Sequence, residues 1–353
     1  MLLPQRTPAR PPVPAEQQRF RRTSQRTAGW FVCLLVVVVL TLISLGAGSR
    51  SIPPEGVWHA LLAKDGTAES VIVWQLRLPR TVLACVVGAA LGVAGVVMQA
   101  ITRNPLAEPG LVGVNAGASF AVVVAISAFG ITQTSGYLWF AFAGAVGAAL
   151  TVYGLTSRGS RTGQHIRLVL AGAALSATLG ACTGILTMFD TEAFDSYRFW
   201  VVGTLENRGT AALAASVPFV ALGIAIALPL GPAFNALALG DEASTALGLR
   251  PRTVRAAGFT AVMLLCGAAT AAAGPIAFVG LVVPHALRML LGPDIRWLLW
   301  YAIPAGAALL LAGDVVGRLI APPGEIEAGI VTAFLGAPVL MWLVNRRTKG
   351  VRL

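Results

Sequence analysis

Long apolar stretches dominate the chain, and they recur too often and run too far to be the alternating faces of a soluble fold. Runs of about 20 apolar residues fall near 29–47, 82–101, 111–130, 137–156, 168–188, 211–232, 255–273, 276–292, 297–318 and 328–345. That length is what an α-helix needs to cross the hydrocarbon core of a bilayer. A helix also satisfies its own backbone groups where no water can. The pattern predicts an all-α polytopic membrane protein with ten transmembrane helices. The run at 276–292 is the least regular, because Pro275 and Pro284 interrupt it, and it is expected to begin partway into the membrane.

The polar remainder divides the chain further. Residues 1–28 are rich in Pro, Gln and Arg and lack a hydrophobic face, which reads as a disordered basic cytoplasmic arm. Residues 29–345 form the ten-helix domain, and 346–353 a short basic cytoplasmic tail. Small residues follow the first run at Gly46-Ala-Gly-Ser49, as in a cleavable signal peptide. The length of the arm and of the run favours an uncleaved first helix instead.

Composition sharpens this picture. Hydrophobic residues make up 56% of the chain and charged ones 12%, against about 25% charged in an ordinary soluble protein. The net charge of +11 does not point to nucleic acid, since Arg and Lys are scattered between apolar runs rather than gathered with aromatics. Topology accounts for it. With the N-terminus in the cytoplasm, 19 of the 26 basic residues fall inside; the seven outside are Arg50, Lys64, Arg77, Arg80, Arg198, Arg208 and Arg318. The positive-inside rule therefore predicts both termini in the cytoplasm. Cys33, Cys85, Cys182 and Cys266 lie inside apolar runs without ligand spacing, and His59, His165 and His285 lie far apart, so neither a metal site nor a cofactor is expected.

An internal repeat adds architecture. Pro105-Leu-Ala-Glu-Pro-Gly-Leu-Val recurs 170 residues later as Pro275-Ile-Ala-Phe-Val-Gly-Leu-Val, with five of eight positions identical. Five predicted crossings separate the copies, which predicts an inverted-topology repeat, a common transporter plan. In the first copy Pro105 and Pro109 forbid a continuous helix; Asn104, Pro105, Glu108, Pro109 and Gly110 read as a helix break. The longest inside loop, 234–255, has Gly240 before Asp241 and Glu242, then Leu247, Gly248 and Pro251. This is the punctuation of a short capped helix, which favours docking of a soluble partner. Asp314 is the main ionisable residue within the runs, four residues before Arg318. Such scarcity argues against a proton-coupled carrier. No GxSxG or HExxH motif suggests an enzyme, and no GxxxxGK[ST] loop binds nucleotide. From the pattern alone, a secondary transporter is the main alternative.

Several blocks in one order, Leu76-Arg-Leu-Pro-Arg80, Asn104-Pro-Leu-Ala-Glu-Pro-Gly110, Leu237-Ala-Leu-Gly-Asp-Glu242 with Ala246-Leu-Gly248, Gly274-Pro-Ile-Ala-Phe-Val-Gly-Leu-Val-Val-Pro-His285 and Leu335-Gly-Ala-Pro338, resemble the FecCD family. These are permease subunits of ATP-binding-cassette importers for ferric siderophores, haem and cobalamin. The resemblance implies a non-enzymatic permease in the cell membrane, paired with a second copy or a paralogue. It also implies two cytoplasmic ATPase subunits and an extracytoplasmic binding protein, with a ferric siderophore as cargo. It assigns ATPase coupling to Gly240, Asp241, Glu242, Leu247 and Gly248, and binding-protein docking to Arg77 and Arg318. It sets the inner gate at Gln164 and His165, where small hydroxyl residues are the family's usual choice.

Overall fold

The computed structural model describes residues 15–48, 50–157, 164–322 and 324–350. Its helices are α1 (Ala15–Gly46), α2 (Pro54–Ala63), α3 (Ala68–Val71), α4 (Leu78–Thr102), α5 (Val114–Phe129), α6 (Thr134–Ser157), α7 (Gln164–Phe189) and α8 (Thr191–Val201). They continue as α9 (Gly209–Ala227), α10 (Gly231–Ala238), α11 (Asp241–Ala246), α12 (Pro251–Ala273), α13 (Val279–Leu291), α14 (Ile295–Ile320) and α15 (Ala328–Gly350). No strand occurs among the described residues. Seven helical stretches there are long and apolar enough to cross a membrane, and Val114–Phe129, Val279–Leu291 and Ala328–Trp342 are shorter apolar helices.

Two local expectations need correction. The segment read as a disordered arm is helical from Ala15 onward; Glu, Gln and Arg are good helix formers, and the apolar part of α1 supplies the nucleus from which the helix extends. Residues 1–14 lie outside the described residues. The Leu76–Arg80 motif, read as lying before the second span, is inside a continuous helical stretch from Ala68 to Thr102. Pro79 has no N–H and its ring crowds the carbonyl of Gln75, and the chain answers with a π turn over Ile72–Arg77 immediately before it.

α4 and α12 form the centre: 83% and 78% of their most apolar windows are buried, against 11% in α1 and 17% in α7. α4 packs along α14 and α12, and α12 along α9 and α6. Small residues set the contact distance. A Cβ on Gly88 would strike the backbone of Gly306, one on Gly92 that of Ala302, and one on Gly95 that of Gly280. Helices in lipid associate through such close approach rather than through hydrophobic exclusion.

Between these helices lie two irregular segments. After α4, Arg103 takes a left-handed conformation, Asn104 Oδ1 accepts from Leu106 N–H at 3.0 Å, and Pro109–Val112 form a 3-10 turn ending at Gly113, φ 81°. After α12, Gly274 (φ 77°) breaks the helix and Phe278 (φ 67°) opens α13. The two segments meet. Glu108 Oε1 accepts a hydrogen bond from Phe278 N–H at 2.5 Å, and a Cβ on Gly280 would lie 2.9 Å from Pro109 Cδ.

Candidate functional site

Two constructions stand at opposite ends of the bundle. At the loop face, α10 packs its buried Phe234 and Leu237 into the core, where Phe234 lies beside Gly258 of α12, and α11 follows it. Gly240, φ 113°, makes the bend into α11, and Gly248, φ 80°, ends it. Neither has an atom within 4 Å of where a Cβ would sit, so conformation rather than space dictates glycine there. Gly248 N–H donates to Thr245 O at 2.9 Å and Leu249 N–H to Ser244 O at 3.1 Å, which closes the C-terminal carbonyls.

Asp241 holds the short helix in place. Its carboxylate accepts from Arg255 Nη1 at 3.0 Å and Nη2 at 2.6 Å, and also from Arg103. These guanidiniums, Arg255 foremost, hold its carboxyl below the usual range. The backbone carbonyl of Asp241 accepts from Ser244 Oγ at 3.0 Å and Thr245 Oγ1 at 2.7 Å. Glu242 is exposed, and so are Leu239 (68%) and Leu247 (63%), which leaves a small apolar and acidic surface on a rigid base. Arg103 and Arg255 carry no local signal as loop partners, being 138 and 14 residues from Asp241.

At the opposite, cavity face, three arginines gather around one buried acid. Arg80 donates to Asp314 Oδ1 from Nε at 3.0 Å and from Nη2 at 2.8 Å, and to Glu325 Oε2 at 2.7 Å. Arg318 pairs with Asp314 Oδ2 at 2.8 Å and donates to the carbonyls of Ser44 at 2.9 Å and Ala47 at 3.0 Å. Arg77 donates to Leu45 O at 2.6 Å and to Arg50 O. The i,i+4 pair of Asp314 and Arg318 expected from spacing is present; Arg80, its third member, was not legible because its partner lies 234 residues away. Arg77 and Arg318 are 7% and 3% exposed, Arg77 bonded to two backbone carbonyls and Arg318 to carbonyls, Ser44 Oγ and the Asp314 carboxylate. Both nevertheless line a cavity of about 410 Å³, together with Arg50, Arg80, Arg208, Glu206 and Glu325.

Gln164 and His165 open α7, but their side chains lie outside the described residues. Among the described residues no three His, Cys, Asp or Glu side chains gather as a metal site would require.

Comparison with known proteins decides the family. Residues 35–346 match the model of the FecCD transport family. The chain belongs to the FecCD transport family. Over 317 residues it is 44% identical to the ferric enterobactin transport system permease protein FepD of Escherichia coli K12, covering 90% of this chain and 95% of that one. It is 36% identical to the hemin transport system permease protein HmuU of Yersinia pestis, covering 89% and 94%. A solved structure described as an inward-facing conformation of a metal-chelate type ABC transporter superposes with a TM-score of 0.80 at 30% identity, covering 91% of this chain and 99% of that one. The protein is therefore a multi-pass FecCD permease subunit of a metal-chelate type ABC importer, and its work is transport. The secondary-transporter alternative is set aside.

Proposed function

We propose that this permease carries a ferric siderophore into the cytoplasm, driven by ATP hydrolysis on a separate subunit. The observation that carries this reading is the α10–α11 loop: α10 is anchored in the bundle by buried Phe234 and Leu237, and the turn that follows it offers exposed Leu239, Glu242 and Leu247 to a soluble partner. Siderophore as cargo is supported by similarity to the ferric enterobactin permease and, at 36% identity, to a probable siderophore permease of Bacillus subtilis.

The working assembly is two permeases, as copies or paralogues, with two ATPase subunits at the loop face and a binding protein at the cavity face. The loop face is cytoplasmic in this reading, supported by the basic residues of its connections, and both termini lie on that same cytoplasmic side of the cell membrane. Ten crossings follow if the three shorter apolar helices cross together with the irregular segments that precede or follow them. An inverted repeat is supported by Glu108 and Phe278: they occupy equivalent positions of the repeated motif, and residues related by a two-fold axis can touch only near that axis. Glu108, with Asn104, Pro105, Pro109 and Gly110, thus serves as the break that lets each half bend at the shared centre.

Docking at Arg77 and Arg318 is retained in modified form. Both line the cavity and are held there by internal acceptors, so an incoming carboxylate meets guanidiniums already oriented by the protein. Gln164 and His165 at the start of α7 form the inner gate in this reading. The experiment is copurification: a tagged chain expressed with the ATPase subunit should retain it, and replacing Gly248 with Trp should weaken or uncouple that association while membrane insertion persists. A chain that never retains an ATPase contradicts the proposal.

A further inference from the structure

The α10–α11 loop is held by a second polar contact, which lies before α11. Asn235 of α10 is half-buried and bonds twice to the start of α14. Its Nδ2 donates to Asp294 Oδ1 at 2.7 Å, and its Oδ1 accepts from Ile295 N–H at 2.9 Å. Only one orientation of the amide satisfies both, because the flipped one sets carbonyl against carboxylate and NH₂ against N–H. Asp294 in turn caps α14 by accepting from Arg296 N–H at 3.2 Å, and it accepts from Arg296 Nη2 at 2.9 Å. Gly231, at the start of α10, is packed so closely that a Cβ there would lie 3.1 Å from Arg296 Cα. α10 therefore sits fixed on the first turn of α14.

Asp241 grips α12 through Arg255 and the end of α4 through Arg103, the residue that caps it. α4 and α14 touch backbone to backbone at Gly88 and Gly306 and at Gly92 and Ala302, and such packed interfaces shift as bodies rather than stretching continuously. α14 has 26 residues and so runs about 39 Å at 1.5 Å per residue. Its far end carries Arg318, which with Arg80 of α4 lines the arginine cavity, and the buried Asp314 that binds both. One loop thus holds both members of a helix pair at one face, and both members build the cavity at the other.

We propose that α4 and α14 form a strut between the α10–α11 loop and the arginine cavity, and that the Asn235–Asp294 contact is the positioning contact that delivers loop movement to α14. The proposal rests on the reading of α10–α11 as the ATPase-docking loop. It predicts an energetic coupling between two faces that share no residue, and coupling of this kind is established by perturbing the proposed contact, not by its lying between the sites.

The test uses the assembled permease–ATPase complex. Asn207, exposed on the cavity lining, is replaced by Cys, and its maleimide labelling rate is followed above the background of the native cysteines, with and without ATP and vanadate. Nucleotide should change the rate at least about fivefold, the lower end of ordinary allosteric couplings. Asn235→Leu should keep ATPase copurification and abolish the change. If the Leu variant fails to insert, Asn235→Ser, too short to reach both partners, should give the same loss. The exchange Asn235→Asp with Asp294→Asn rebuilds the side-chain hydrogen bond with donor and acceptor swapped and leaves Ile295 N–H donating to position 235, and it should restore the response that Asn235→Asp alone removes.

A nucleotide response that survives in the Asn235 variants overturns the strut, as does loss of ATPase association in them, or a parent complex with no response. Gly248→Trp separates the two readings. If it too keeps the full response, the docking loop itself is misassigned; if it removes the response while Asn235→Leu does not, only the strut fails.

Discussion

At the scale of single residues, charge placement distinguishes the two faces. Asp314 is fully buried and serves two guanidiniums, so removing it leaves the largely buried Arg80 and Arg318 without their shared acceptor. Breaking one partner of such a buried set costs about 3–5 kcal/mol, and Asp314→Ala should lower the thermal midpoint of the detergent-solubilised permease accordingly. A shift no larger than that of a surface substitution would contradict this role. Asp241 and Asp294 behave differently. Arg255 holds the carboxyl of Asp241 below the ordinary range, and Arg296, with Asn235, does the same for Asp294. A folded-state value below the unfolded one, which is about 3.9, gives stabilisation that is complete above that value and is lost as pH falls through the folded value. Loop anchoring should therefore be constant from about pH 8 down to about pH 5. A stability step near neutral pH that disappears in Asp241→Asn would contradict the assignment.

The elements were unequally legible. Apolar runs located the long helices because a helix in lipid must be apolar over its full crossing. The same signal overstated 276–292, where five residues of irregular chain precede a helix of 13 residues. It also missed the helical context of Arg77 and Arg80, since a proline normally marks a boundary and a π turn that absorbs it leaves no trace in composition. The short helix α11 could be read from Gly240, Asp241 and Gly248, because caps are local. What anchors it could not, since Arg103, Arg255 and the Asn235–Asp294 contact join segments by tertiary packing alone. The glycines of α4 read only as a sign of tight association, and the fold makes α14 the partner of Gly88 and Gly92. Gly88→Val should force α4 and α14 apart, with overpacking of this kind costing about 1–3 kcal/mol or more. Gly147→Val, where open space surrounds the position, should be close to neutral by the same thermal assay. Equal effects of the two would remove α4–α14 contact as the organising interface.

Across the whole molecule, the chain carries no nucleotide motif and few membrane-embedded charges, which suits a conduit with the two docking faces proposed above. Work must be supplied from outside it, and a ligand binding one conformation better than another is the only way ATP can shift it. Which chelate passes is not written in the small residues of the helices, whereas the proposed division of labour between loop face and cavity face rests on named residues, Asp241 and Gly248 at one and Arg77 and Arg318 at the other. The central claim is ATP-driven import, and uptake of ferric enterobactin into proteoliposomes tests it most directly. Permease and ATPase subunits are reconstituted with the binding protein on the cavity side, and a proton or sodium gradient replaces ATP in a parallel sample. Uptake that requires ATP and the ATPase subunit, and that an ion gradient cannot drive, is the predicted result. Uptake driven by the gradient in the absence of the ATPase would contradict the account.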